Sequence, residues 1–106
     1  MNYRFRKKPV VIEAFQMTQE RRADNAEWPN WMHLAWQKGR KSDGALLASE
    51  WPNSDGTDKL QINTMEGRML VEWNDWIIQG VRGEIYPCKP DIFAATYEPA
   101  MRDHPQ

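Results

Sequence analysis

The sequence predicts an α+β fold, a curved antiparallel sheet or small open β-barrel covered by one amphipathic helix. Three observations predict it. The N-terminus alternates apolar and basic residues with a period of two, as a half-buried strand does. Short β-prone runs divided by turn residues fill the stretch from Leu60 to Tyr86. Between these regions, Trp28, Trp31, Met32, Ala35 and Trp36 fall on one face of a 3.6-residue repeat.

Each element has a local reason. Tyr3 and Phe5 alternate with Arg4 and Arg6, and the strand signal resumes through Val10–Phe15 after a bend at Lys7–Lys8–Pro9. Thr18 to Asn25 is polar and reads as a connection. Pro29 to Lys38 is the helix: Pro29 suits the first turn, Lys38 the last, and Gly39 is placed for a left-handed C-terminal cap. Residues 39–58 form a polar insertion punctuated by Ser42–Asp43–Gly44 and Pro52–Asn53–Ser54–Asp55–Gly56. Inside it, Ala45–Ala48 reads as a short strand or one helical turn. Leu60, Ile62 and Thr64 then alternate with polar neighbours, and Glu66–Gly67 turns the chain into Met69–Trp73. Asn74–Asp75 reverses it into Trp76–Gln79, and Gly80–Gly83 leads to Glu84–Tyr86. Pro90 starts a short helix or turn that carries Ile92 and Phe93 inward. Thr96–Glu98 is expected to close the sheet. Residues 1–98 thus read as one domain, and 99–106 as a polar tail.

Composition narrows the function classes. The chain has 106 residues, 41% hydrophobic and 27% charged, enough for one core that buries roughly two-thirds of its surface. One cysteine excludes an internal disulfide framework and a Cys-rich zinc site, and two histidines leave little for a metal centre. No cofactor is expected. The longest apolar run near the N-terminus is Val10–Ile12, short of a secretory or membrane-spanning segment, so a cytoplasmic protein with reduced Cys88 is expected. A net charge of −1 argues against generic polyanion binding. The charge is nevertheless uneven, with nine basic and six acidic residues over 1–50 but five and nine over 51–106.

The stretch Tyr3–Arg4–Phe5–Arg6–Lys7–Lys8–Pro9–Val10–Val11–Ile12–Glu13–Ala14–Phe15 resembles the opening of small proteins of tailed bacteriophages and prophages. The stretch from Asp75–Trp76–Ile77–Ile78–Gln79–Gly80 through Pro87–Cys88–Lys89–Pro90 to Tyr97–Glu98 is similar to the same group, the PGDYG-type phage proteins. The family's Pro-Gly is replaced here by Trp73–Asn74, which suggests a different reversal before Trp76. The resemblance covers about the first fifteen residues and Ile62 to Pro99. It implies a small soluble protein acting in the cytoplasm of an infected bacterium, with no activity, catalytic set or cofactor to carry over.

The candidate functional residues follow from residue chemistry. Six tryptophans are a heavy load, and Trp51, Trp73 and Trp76 are candidates for a binding surface, Trp51 foremost because it sits in the polar insertion. Arg82 and Lys89 complete that surface as cations for a phosphate-bearing ligand. Arg4, Arg6, Lys7 and Lys8, interleaved with Tyr3 and Phe5, are candidate phosphate contacts for a nucleic acid, or the solvent face of an edge strand. Cys88 beside Lys89 has a cation that lowers a thiol pKa but no nearby base in sequence. Asp75 and Glu84 are candidates for paired-carboxylate chemistry, or for turn formation and solvated charge. His33 has no second ligand at position 37, which is Gln37, and reads as a boundary histidine. The expected function is that of a phage-encoded accessory protein that binds a host or phage protein without catalysis. A symmetric homodimer, a small nucleotide-like ligand and nucleic-acid binding through the basic strand are further expectations.

Overall fold

Alternating apolar residues build two sheets here. The computed structural model describes residues 3–6, 8–49 and 58–100. One sheet has the order β1-β5-β6, from β1 (Glu13–Gln16), β5 (Trp76–Gln79) and β6 (Ile85–Cys88). The other has the order β2-β3-β4, from β2 (Leu46–Ala48), β3 (Leu60–Thr64) and β4 (Gly67–Val71). All pairings are antiparallel. Among the described residues three short α-helices accompany them: α1 (Gln19–Ala23), α2 (Asn30–Trp36) and α3 (Pro90–Thr96). The architecture is α+β, as expected, but it is neither one curved sheet nor a closed barrel. Strands of only three to five residues, separated by turns, give the hydrogen-bond ladder no continuous edge along which to close.

Both sheets contribute one face to a single core. Ile77 and Ile85 from the first meet Leu46, Leu60, Ile62 and Val71 from the second. Met17, Trp28, Met32 and Ala35 close the cluster, so the tryptophan-bearing face does dock on the sheets. Burial grades along that face: Trp28 is buried and Trp31 is half-buried, while Trp36 sits at the rim with 39% exposure. Trp36 is not wasted there. Its ring meets that of Trp28 edge-on at 5.9 Å, and the Arg22 guanidinium lies 5.4 Å from it.

Several local expectations change. Thr18–Asn25 is not a plain connection: the Thr18 hydroxyl accepts the Arg21 amide at 3.2 Å and nucleates α1. The Asp24 carboxylate does the same for a 3₁₀ turn at Asn25–Glu27, accepting the Ala26 amide at 3.0 Å. This turn of chain places the Arg21 carbonyl 2.7 Å from the Trp28 indole N–H, which satisfies that buried donor. Helix α2 is shorter than Pro29–Lys38 and ends at Trp36. The Lys38 amide reaches back to the Ala35 carbonyl, a tighter last turn that removes the need for a left-handed cap at Gly39.

Residues 3–6 form no strand, and Tyr3 and Phe5 are 78% and 92% exposed; among the described residues no strand pairs with them. Regular pairing starts only at Glu13. Thr96–Glu98 does not close the sheet either. The helix runs to Thr96, and Ile92 points outward at 55% exposure while Phe93 turns in.

The reversal into β5 is built by Glu72–Asp75. The Glu72 carbonyl accepts the Asp75 amide at 3.0 Å, and the Asp75 carboxylate accepts the Glu72 amide at 2.9 Å. Asn74 takes φ 75°, a left-handed conformation that asparagine tolerates better than most residues. The Met17 amide donates to the Asp75 carbonyl at 2.9 Å, and the Asn74 amide donates to the Met17 carbonyl. These two bonds extend the β1–β5 ladder and tie the two ends of the polypeptide together.

Candidate functional site

Residues alternate between faces along β1, β5 and β6. Phe15, Ile77 and Ile85 turn toward the core. Ala14, Trp76, Ile78 and Tyr86 therefore point to the outer face, by pairing register as well as by alternation. Helix α3 lies over that face, but it is seven residues long and covers only part of it.

Between α3 and the β1 side, an open groove of about 730 Å³ remains. Val10, Val11, Ile12 and Ala14 form one wall, Pro90, Phe93, Ala94 and Tyr97 the other, with Trp76 between them. Glu98 and Ala100 border it where the chain leaves the helix. The volume suits a drug-sized molecule or a few side chains.

An aromatic stack organises this groove. The Trp76 and Phe93 rings lie parallel with centroids 4.1 Å apart, and Tyr97 tilts against Phe93 at 5.1 Å. Phe93 and Tyr97 are four apart, the helical spacing that brings side chains together, and the Tyr97 amide still bonds the Phe93 carbonyl at 2.9 Å. Tyr97 is also hydrogen-bonded to Tyr86. Burial first, then the bond to and the charge of Tyr97, and then the charges of Glu84 and Cys88 push the Tyr86 hydroxyl up to about 12, so it remains a neutral phenol at any physiological pH.

The structure distributes the sequence-predicted site residues over three places. Trp76 lines the groove. Trp73 packs half-buried against the core cluster and is not part of the groove. Lys89 sits near Trp76, but its ammonium is engaged by the buried Asp75 carboxylate at 3.2 Å. Arg82 lies at the far end of the β5–β6 hairpin, beside a second groove of about 470 Å³ between that hairpin and the β3–β4 turn. Lys38 and Arg82 there are offset by Asp43, Glu66 and Glu84. The cations expected to hold a phosphate next to Trp76 are thus occupied or remote.

Arg4, Arg6 and Lys8 are exposed on an extended segment, and Trp51 and Lys7 lie outside the described residues.

The carboxylate pair does not form. Asp75 precedes β5 and Glu84 precedes β6, so antiparallel pairing holds them at opposite ends of the hairpin. Glu84 instead closes its own turn, accepting the Arg82 amide at 2.9 Å and folding over Gly80, where a Cβ would collide with its carboxylate. Cys88 is not activated by Lys89. Burial, then Asp75 and then Asp91 push its thiol up, which favours the protonated, unreactive form. His33 is half-buried and lies 5.7 Å from the Trp28 ring, a boundary position. Among the described residues, no group of three or more His, Cys, Asp or Glu side chains is placed to hold a metal ion. Among them also, no helix is long and apolar enough to cross a membrane.

Sequence reasoning misses the groove walls: Val10–Ile12 reads as part of a strand, Phe93 only as an inward-facing residue, and Tyr86 and Tyr97 carry no site expectation. The spacing of Phe93 and Tyr97 was the available signal. No family model, curated protein or solved structure matches this chain.

Proposed function

We propose that this is a small phage-encoded accessory protein that acts in the host cytoplasm by non-catalytic binding of a host or phage protein. Its working surface is the groove between α3 and residues 10–14. One observation carries the reading: an open apolar groove organised by the Trp76–Phe93 stack, with Val10 and Val11 47% and 77% exposed along its wall. Aromatic rings held rigid by stacking lose little conformational freedom on binding, which suits them to anchor an apolar segment of a partner. The resemblance of the opening and closing segments to small phage proteins supports the setting.

The other readings have less support. A nucleotide-like ligand needs a free cation beside an open ring face, whereas Phe93 covers one face of Trp76 and Lys89 is paired with Asp75. Nucleic-acid binding through Arg4, Arg6 and Lys8 has exposure in its favour but no built groove.

The test compares tagged wild-type protein with Val11→Asp and Ala94→Arg in lysates of infected cells. A defined protein recovered with wild type and with Trp36→Ala, and lost with both groove variants, supports the reading. Equal recovery by all four proteins would remove the groove from it.

A further inference from the structure

One wall of the groove is an open backbone edge. Met17 turns its amide and its carbonyl to the β5 side, donating to Asp75 and accepting from Asn74. Backbone groups alternate in direction along a strand, so those of Phe15 and Glu13 face β5 as well, and those of Gln16 and Ala14 face away from it. The Gln16 carbonyl accordingly accepts the Arg21 guanidinium of α1 at 2.9 Å. Upstream of Glu13 the chain passes through Val10–Ile12 with no turn or helix. In the same phase, Ile12 and Val10 direct their backbone groups to the edge that Ala14 faces. Among the described residues, the backbones of Val10, Val11 and Ile12 bond to no other residue.

This edge has two limits. Arg21 occupies it at Gln16, and Pro9 has no N–H to offer beyond Val10. What stays open runs from Val10 to Ala14, and Val10, Ile12 and Ala14 all line the groove. A helix or a small molecule would fill the groove and leave the edge to water. An extended segment uses both. Its backbone pairs with the edge, and every second side chain rises on the face that carries Ala14 and Trp76.

Charge adds a further condition. Helix α3 starts after Cys88, which pairs with Trp76, and is followed by Tyr97, bonded to Tyr86, which pairs with Ile78. Ala14 also pairs with Ile78, so Glu98 lies toward the Val10 end of the groove. Glu98 is exposed and is the sole charged side chain among the described residues that line the groove. Lys89 is held by Asp75, and Lys8 is not part of the lining. A carboxylate at the end of an apolar channel favours a cation there.

We propose that the groove takes an extended peptide segment of the partner protein, added as a strand along Val10–Ala14. Apolar side chains at every second position cover the Trp76–Phe93 stack, and a lysine or arginine sits beside Glu98. This rests on the groove being the working surface and gives the conformation and pattern of the segment that fills it.

The experiment pans the full chain against a library of random short peptides and synthesises those enriched. Peptides with apolar residues at alternate positions and a basic residue toward one end are expected, with binding lost in Ala94→Arg. Methylating the backbone nitrogens along one edge of the best peptide should weaken binding at least about tenfold, while methylating those of the other edge leaves it nearly unchanged. Glu98→Lys should weaken binding, and a glutamate in place of the peptide's basic residue should restore it. Hydrogen exchange reads the edge directly: the amides of Val10, Ile12 and Ala14 should slow when the peptide is bound.

Enriched peptides with apolar residues at helical spacing, tolerance of both methylated sets, or unchanged exchange at those three amides overturns the strand pairing. A library in which nothing is enriched does the same. Indifference to the charge exchange overturns the role of Glu98. If Val11→Asp and Ala94→Arg still lose the protein recovered from infected cells, the groove stands as the working surface and only its mode of engagement falls. If they do not, both fall.

Discussion

The two faces of the β1–β5–β6 sheet are made by the same strands, yet they end in different surroundings. The inner face places Phe15, Ile77 and Ile85 against a second sheet and against Trp28, Met32 and Ala35. The outer face places Ala14, Trp76, Ile78 and Tyr86 beneath one seven-residue helix that leaves a groove beside it. Neighbouring residues thus belong to different tasks. Ile77 is part of the common core and Ile78 lies on the opposite face, paired with Ala14 and Tyr86, although both are fully buried. Full burial by itself does not tell how much of the fold depends on a side chain. What matters is whether the layer above it can settle when the side chain is removed.

That comparison is sharpest at Ile77 and Ile78. Ile77→Ala should cost about 3–5 kcal/mol, because two sheets and a helix brace the hole and cannot collapse into it. Ile78→Ala should cost about 2–3 kcal/mol, since its face carries no second sheet to hold the hole open. Urea unfolding of the two variants checks this, and a larger loss at Ile78 would reverse the assignment of the faces. Next in size is Phe93→Ala, which removes the ring stacked on Trp76. It should cost about 1–2 kcal/mol and abolish partner recovery, separating binding from stability.

A smaller effect follows from pH. The Tyr86 hydroxyl stands at about 12 in the folded protein, against about 10 in an unfolded chain. A raised value means that the folded state holds the proton more tightly. The corresponding stability is complete below pH 10 and is lost progressively as pH rises from about 10 to about 12. Stability measured against pH should fall more steeply there in wild type than in Tyr86→Phe, and identical slopes would contradict the raised value at Tyr86. The smallest expected effect is chemical. With its thiol pushed up by burial, Asp75 and Asp91, Cys88 should react with iodoacetamide at pH 8 more slowly than free cysteine.

Much of the secondary structure was legible because it is local. Period-two alternation marks β3, the glycines mark the β5–β6 turn, and the repeat from Trp28 marks α2. The same local reasoning failed at residues 3–6, where alternation is present but, among the described residues, no strand pairs with it. It also failed at Thr18–Asn25, where two side-chain caps build helical turns from a polar stretch. In the site, Trp76 was found from its chemistry. Lys89 and Arg82 were grouped with it although one is bound by Asp75 and the other lies at the opposite end of a hairpin.

The amino-acid order by itself determined the α+β class, the antiparallel pairing of the C-terminal half and the face by which α2 docks. Periodicity and turn chemistry act over a few residues, and nothing distant is needed to express them. Tertiary structure alone decided that there are two sheets, that β1 joins β5 and β6, and that α3 leaves part of the outer face open. Those outcomes depend on which surfaces meet across the whole chain and on how far a helix of fixed length can reach, and neither is written in any short window of residues.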